Sequence, residues 1–142
     1  MLKIYSASEV SLIFALIPID GGRGEDEFVQ IAKAGETFTY KAGVDGEGTR
    51  SESKENYFTV KVTLMQTSSG NAILSSIHAG DTTIPGGAGV APILIRDKQG
   101  KSLFAASQAW IMKWPDLKYG KEVGQVEWEF GVHQPSMFIG GN

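Results

Sequence analysis

Two segments of this 142-residue chain alternate strictly between apolar and polar side chains. They cover residues 58–65 and 125–132. Successive side chains of a β-strand point to opposite faces, so this pattern predicts strands with one buried face and one open face. The predicted core residues of these two strands are Phe58, Val60, Val62, Leu64, Trp128 and Phe130.

Other strands are predicted from shorter signals. Residues 37–41 alternate, and we expect them to pair with residues 28–32 through a turn at positions 34–35. Residues 10–19 are apolar on both faces, which predicts one strand that is covered on both sides. A further hairpin is predicted over residues 92–113, because its centre is rich in turn-forming residues.

One segment in the middle of the chain has the pattern of a helix. Thr67 or Ser68 is placed to cap it, and Gly80 is placed to end it. Its apolar face adds three residues to the predicted core: Ile73, Leu74 and Ile77. The chain is therefore predicted to be mainly β, with about seven strands and one helix in a single domain spanning residues 1–142.

Residues 43–56 form a polar segment with glycine, serine, both signs of charge and almost no apolar side chains. We expect an extended loop here. Loops of about this length without regular structure are uncommon in compact domains and are usually functional or disordered.

Composition excludes several classes of function. The chain has no cysteine, so it has no disulfide, no thiolate metal site and no cysteine nucleophile. Its net charge is −3, so the chain lacks the excess of lysine and arginine that is typical of nucleic-acid-binding proteins. The longest apolar run, residues 12–17, is far shorter than a membrane helix requires.

Candidate catalytic and metal-binding residues lack the spacing that such sites need. His78 and His133 have no second ligand at a helical spacing. Residues 100–102 resemble the end of a phosphate-binding loop. That motif also requires a glycine at position 95, where this chain has Ile95, so a hairpin turn is favoured. The acidic cluster 25–27 lacks the spacing of a calcium loop and is predicted to be a solvated turn.

Two further sets of residues leave alternatives open. Glu127 and Glu129 lie on the same face of one strand. The two catalytic carboxylates of a glycosidase flank a cleft, so a solvent-exposed surface is the favoured interpretation of this pair. We expect the three tryptophans to lie in the core or at a subunit interface rather than to form a ligand-binding surface: Trp110, Trp114 and Trp128. The sequence therefore predicts no enzyme, no cofactor and no metal.

Three stretches of the chain resemble the tail tube proteins of contractile-tailed bacteriophages. The first lies at residues 7–21 and runs from ASEVS to IPIDG. The second runs FTYKAGVDGEGTR at residues 38–50 and continues to VTLMQTS at 62–68. The third begins with PILIRD at residues 92–97 and extends through Trp110 to the Trp128 strand.

The resemblance implies a β-sandwich or barrel with one packed helix, and an assembly role in the virion tail. Six copies would close a ring, and rings would stack into a tube that is assembled in the host cytoplasm. The expected partners are other copies of the chain, the tail sheath protein, and baseplate and tail-terminator proteins. DNA would pass through without specific binding, and no membrane is involved.

Two surfaces of the chain can be assigned to this role. The polar segment 43–56 is expected to be an arm that reaches the next ring: Val44, Asp45, Glu47, Thr49, Arg50, Glu52 and Lys54. The polar face of the last strand is a possible lumen face: Gln125, Glu127 and Glu129. The alternatives are a monomeric β-sandwich binding module, of baseplate or carbohydrate-binding type, and a small hydrolase.

Overall fold

The computed structural model describes residues 2–19, 21–24 and 28–141. Within these residues the chain forms ten strands and one α-helix, preceded by a short 3₁₀ turn at Ala7–Glu9. In chain order the elements are β1 (Val10–Phe14), β2 (Ile17–Pro18), β3 (Val29–Lys33), β4 (Phe38–Ala42), β5 (Gly48–Glu52), β6 (Tyr57–Met65), α1 (Gly70–Thr83), β7 (Ala91–Asp97), β8 (Leu103–Lys113), β9 (Gln125–His133) and β10 (Ser136–Phe138).

Eight strands form one antiparallel sheet in the order β2-β1-β7-β8-β9-β6-β3. The remaining member, β10, follows β9 along the chain and pairs with Leu103–Ala105 at the start of β8. The ladder between β6 and β9 is the longest, and its register is continuous from Tyr57↔His133 to Met65↔Gln125. Strands β4 and β5 pair only with each other in a separate two-stranded sheet.

The large sheet curls so that distant strands meet inside it. The rings of Phe14 in β1 and Phe130 in β9 touch edge to face, with centroids 4.9 Å apart. Those of Phe58 in β6 and Phe104 in β8 lie 5.6 Å apart. The expectation of a mainly β fold with one packed helix is confirmed, with ten strands in the described residues in place of about seven.

The core follows the period-two pattern of the sequence. Burial alternates along the whole of β6, and the buried faces of β6 and β9 meet α1 and β1. Leu74 of α1 is fully buried, whereas Ile73 and Ile77 are half-buried and pack against the same cluster. The buried residues of β6 and β9 are Phe58, Val60, Val62, Leu64, Val126, Trp128, Phe130 and Val132.

The helix begins close to its predicted start but ends later. Ser68 accepts a hydrogen bond from the Gly70 amide through its hydroxyl, at 3.2 Å. Gly80 does not end the helix, which continues to Thr83, because the Gly80 carbonyl accepts the Ile84 amide at 3.2 Å. The Asp81 carboxylate then accepts hydrogen bonds from the backbone amides of residues 88 and 89, in the loop that leads to β7.

Glycine at the first position of α1 allows close packing. A Cβ on Gly70 would lie 3.1 Å from Ile19 Cγ2 and 3.1 Å from Leu64 Cδ1. These distances are shorter than ordinary van der Waals contact, so a larger residue would push the helix away from the sheet.

Three further local predictions are wrong. Residues 10–19 do not form one strand, because Ala15 and Leu16 adopt φ of 54° and 64° and make a tight turn between β1 and β2. Strand β3 pairs with β6 and not with β4. Residues 43–56 are not simply a loop, because residues 48–52 form β5 against β4.

The remaining hairpin is as predicted, with β7 and β8 pairing in antiparallel register from Arg96↔Leu103 to Ala91↔Ala109. One shift of register interrupts this ladder, between Ala91 and Ile93. The predicted acidic turn at Glu25, Asp26 and Glu27 lies outside the described residues.

Replacing Phe130 by alanine should lower the free energy of unfolding by about 3–5 kcal/mol, because it removes a fully buried ring and leaves a cavity beside Phe14. Chemical denaturation followed by tryptophan fluorescence measures the change. Phe138→Ala is the matched control, since Phe138 is 60% exposed and its loss should cost far less. Equal effects of the two substitutions would contradict the assignment of the core.

Candidate assembly surfaces

Residues 38–52, called the arm hairpin below, form a β-hairpin in which every residue is exposed. The hairpin is held by contacts between its own residues. The Arg50 guanidinium lies 4.1 Å from the centre of the Phe38 ring. The Tyr40 ring lies so close to Gly48 that a Cβ there would be 2.5 Å from Tyr40 Cε2. The arm hairpin is therefore an ordered projection rather than a loose loop.

The tip of the arm hairpin is a tight turn. The Gly43 amide donates to the Glu47 carbonyl at 2.7 Å, and the Glu47 amide donates to Asp45 Oδ1 at 3.1 Å. Val44 stands at this tip with its side chain fully exposed (111%). At the base, the Ser53 amide donates to the Thr37 carbonyl at 2.8 Å, so the two ends of the hairpin are held together.

The predicted arm residues are distributed along this hairpin. Val44, Asp45 and Glu47 lie at the tip, and Thr49, Arg50 and Glu52 lie on β5. Lys54 lies just beyond the hairpin, where its ammonium group is 3.3 Å from the Glu52 carboxylate. Both side chains of this ion pair are largely exposed, so it contributes little to stability.

The possible lumen residues lie on the outer, polar face of the large sheet. Glu129 approaches Lys113 at 3.7 Å, and Glu127 approaches Lys61 at 4.0 Å, across neighbouring strands. Gln125 shares a groove with both glutamates and with Lys113. This face therefore carries paired charges of both signs rather than unpaired carboxylates.

The three tryptophans lie in two different places. Trp128 is buried and donates from Nε1 to Asn71 Oδ1 at 3.0 Å. Trp114 is half-exposed, with its ring 6.3 Å from that of Trp128 and 4.6 Å from that of His78. Trp110 lies instead near Tyr57, with ring centroids 6.1 Å apart. Of the three, only Trp114 and Trp128 lie close to each other.

The remaining candidate residues do not come together as a site. His78 is buried and its Nδ1 has no hydrogen-bond partner among the described residues, whereas His133 is exposed at the end of β9. Residues 100–102 belong to the turn between β7 and β8, and the Ser102 hydroxyl bonds with the backbone of Gly140. In the described part of the chain, no group of three His, Asp or Glu side chains could hold a metal ion.

A pocket between α1 and the segment 114–124 was not predicted from the sequence. We call it the tryptophan pocket. It has a volume of about 280 Å³ and an opening walled mainly by apolar side chains. Its lining residues are Gln66, Asn71, Ser75, Trp114, Pro115, Leu117, Val126 and Trp128. They come from four separate parts of the chain, so no local sequence signal could have indicated the pocket.

Gln66 fixes the segment that forms one wall of this pocket. Its side-chain carbonyl accepts the Gly124 amide at 2.8 Å, and its side-chain amide donates to the Lys118 carbonyl. In addition, the Gln66 backbone amide donates to the Gly124 carbonyl at 3.0 Å. One side chain therefore holds an irregular segment at its middle and at its end.

Replacing Gln66 by alanine should loosen the segment 114–124 while leaving the sheet intact, because two of its hydrogen bonds are lost. Hydrogen exchange at the Gly124 amide should become faster, and limited proteolysis should cut within the segment. Gln108→Ala is the control, since Gln108 is an exposed residue of β8. Unchanged exchange at Gly124 would contradict the role of Gln66.

Comparison with known proteins shows the class of protein to which this fold belongs. Over 121 residues the chain is 28% identical to the structural protein ORF10 of Pseudomonas phage KPP10. The match covers 85% of this chain and 70% of that protein. The chain is thus similar to a phage structural protein.

A family model described as the bacteriophage PhiTE tail tube protein matches residues 13–140. The chain therefore belongs to this family of phage tail tube proteins, and its place is the virion tail. Membership of a structural family confirms the expectation that the chain is not an enzyme. No helix in the described residues is long and apolar enough to span a membrane.

Two solved structures share the fold. The tube-terminating cap of the anti-feeding prophage superposes with a TM-score of 0.61, covering 97% of this chain and 93% of that chain. The sheath/tube terminator of the extracellular contractile injection system PVC gives a TM-score of 0.58, covering 97% and 99%. Sequence identities are only 7% and 8%, so these likenesses establish the fold alone.

Proposed function

We propose that this chain is the repeating subunit of a phage tail tube, in which hexameric rings stack inside a contractile sheath. The observation that carries the proposal is the arm hairpin, an ordered projection whose residues are all exposed in the single chain. A projection that folds on itself and has exposed apolar side chains is suited to contact another copy. Membership of the tail tube family supports the same conclusion.

In this assembly the arm hairpin of one ring contacts the next ring, and the ring itself closes through other surfaces. Closure by head-to-tail contacts uses two different surfaces on each copy. The free edges of β2 and β3 at the two ends of the large sheet are available for such contacts. Baseplate and tail-terminator proteins occupy the two ends of the tube, and assembly takes place in the host cytoplasm.

The polar face of β6 and β9 is proposed to line the lumen. Its glutamates are paired with lysines across the strands, so the face carries little net charge. A conduit for DNA must not present unpaired cations, because each lysine or arginine bound to a phosphate strengthens nucleic-acid binding. The paired charges are consistent with a wall along which DNA passes without being held.

Wild-type protein at high concentration should form rings or tubes that are visible by negative-stain microscopy and that sediment. Replacing residues 38–52 by a short glycine-containing turn should leave thermal stability near that of the wild type, since the Thr37–Ser53 hydrogen bond already joins the two ends. The variant should form rings that no longer stack. A wild-type chain that remains monomeric at every salt and protein concentration would contradict the proposal. Wild-type rings that never stack would instead favour a tube-terminating role.

Replacing Glu127 and Glu129 by lysine should leave tubes that assemble and bind their sheath but retain DNA. The substitutions place unpaired cations beside Lys61 and Lys113, so DNA affinity should rise and fall again with salt. Infection should fail at DNA ejection. Glu36→Lys with Glu55→Lys is the matched control, because both residues are exposed outside this face. Bare tubes that do not recruit sheath would show that the face is external.

A further inference from the structure

Two short segments join the arm hairpin to the body of the chain, residues 34–37 and 53–56, and together we call them the arm base. We propose that Asn56 and Lys33 clamp the arm base and thereby set the direction in which the arm hairpin leaves the body. This inference rests on the proposed function, because a fixed direction is what allows the arm to meet the next ring. It makes Asn56 and Lys33 positioning residues for assembly.

The direction of the arm hairpin is decided at the arm base. In the described part of the chain, residues 38–52 make no hydrogen bond, ion pair or ring contact with the body. Their contacts are with one another and with the neighbouring Lys54, which pairs with Glu52. The hairpin thus has no such support along its length, and a constraint on its direction must come from the arm base.

One side of the arm base is free to bend. The last contact with the sheet on this side is the Ala34 amide, which donates to the Tyr57 carbonyl at 2.9 Å. Gly35 follows with φ of 77°, a conformation that glycine adopts without steric cost. A Cβ on Gly35 would meet no atom within 4 Å, so this position has open space around it. Left to itself, this side would act as a hinge.

The other side of the arm base is tied to the body by three hydrogen bonds. The Asn56 carbonyl accepts the Gln134 amide at 2.8 Å, and the Asn56 side-chain amide donates to the Pro135 carbonyl at 3.5 Å. The Lys33 ammonium group donates to the Glu55 carbonyl at 3.3 Å. Both side-chain bonds are long, so they act together with the backbone bond rather than singly.

The turn that receives Asn56 is itself firmly held. Pro135 is buried, and the next residue, Ser136, pairs with Ala105 of β8. Gln134 adopts φ of 48°, which is uncommon for a residue other than glycine, although its side chain is exposed. A strained conformation of this kind persists only where the surrounding structure imposes it. The backbone amide of Gln134 is the one that bonds Asn56, so the strained residue is part of the clamp.

The length of the arm makes its direction important. From Thr37 to Val44 the hairpin extends about 24 Å at roughly 3.4 Å per residue, so a rotation of about 10° at the arm base moves the tip by about 4 Å. That displacement is as large as the separation of two apolar side chains in contact, about 4.0–4.5 Å. A swinging arm would therefore miss a surface that a clamped arm meets. The clamp also removes this freedom before contact, which lowers the entropic cost of docking.

The direction of the arm can be measured in the unassembled protein, because the chain has no cysteine of its own. Spin labels are attached at Val44→Cys on the tip and at Ala79→Cys, an exposed position of α1. Pulsed electron paramagnetic resonance then gives the distance between them, at a protein concentration too low for assembly. One narrow distribution is expected. Adding Lys33→Met and Asn56→Ala should broaden it by about 4 Å or more, the displacement of a swinging tip.

Two control variants accompany this pair. Glu55→Ala removes a side chain that has no partner in the described residues and keeps the carbonyl that Lys33 binds, so the distribution should stay narrow. Lys33→Arg retains a cationic donor and should also stay narrow. The amide chemical shifts of residues 48–52 should agree in all variants, because the hairpin remains paired and only its direction changes.

Stacking is assayed separately, on unlabelled protein without introduced cysteine. Lys33→Met with Asn56→Ala should form rings but reduce sedimenting tubes by about tenfold, the loss expected when a freed arm points correctly about one tenth of the time. Glu55→Ala should sediment like the wild type. Melting temperatures should change little, since the substitutions lie outside the buried core.

The outcomes separate this inference from the proposed function. An unchanged distance distribution in the double variant, or a broad one already with the native clamp, would overturn the inference and leave the proposed function unaffected. A broad distribution together with normal stacking would show that arm direction does not govern assembly, which also overturns the inference. A wild type that forms neither rings nor tubes would overturn the proposed function, and the role of the clamp in assembly with it, even where the labels report a fixed arm.

Discussion

The continuous ladder between β6 and β9 is the interaction on which the rest of the molecule depends. Nine residue pairs, from Tyr57↔His133 to Met65↔Gln125, hold the two strands in one register. A shift of one residue would turn every side chain to the other face, and would bring Glu127 and Glu129 into the core. The buried rings of Trp128 and Phe130 therefore fix the register, and the register fixes which residues face outward.

This ladder also links the arm hairpin to the segment 114–124. The arm hairpin enters β6 at one end, and Gln66, which holds the segment 114–124, follows β6 at the other end. The partner of β6 in this ladder, β9, lies next to the central strand β8 of the large sheet, so the core sets the spacing between the arm hairpin and the segment 114–124. A change in the core would therefore alter this spacing.

The sequence predicted those elements whose signals are local. Alternation located β6 and β9, apolar spacing located α1, and turn-forming residues located the hairpin of β7 and β8. The wrong predictions concern choices between distant partners. Strand β3 lies near β4 in sequence but pairs with β6, and that pairing extends the large sheet. The turn at Ala15 and Leu16 could not be anticipated, because neither residue favours positive φ.

The candidate site was predicted unevenly for the same reason. The polar arm could be recognised from its composition. Its hairpin, however, depends on contacts between the two strands, of Arg50 with Phe38 and of Tyr40 with Gly48. The tryptophan pocket has no local signal, because its walls come from residues 66, 71–75, 114–117 and 126–128. Alternation placed Glu127 and Glu129 on one face but said nothing of the lysines beside them.

Those lysines change the physical argument about the polar face of the sheet. Unpaired carboxylates in a narrow tube would repel DNA, and the repulsion would have to be overcome as the molecule enters. Lys61 and Lys113 lie within 4.0 Å and 3.7 Å of the two glutamates, so each carboxylate has a cation beside it. Exposed pairs of this kind are weak and are screened by salt, and they add little to the stability of the fold. Their larger effect is to bring the local charge close to zero. In the proposed tube, such a wall neither binds phosphates nor opposes them strongly, which is the condition for passage without specific contact.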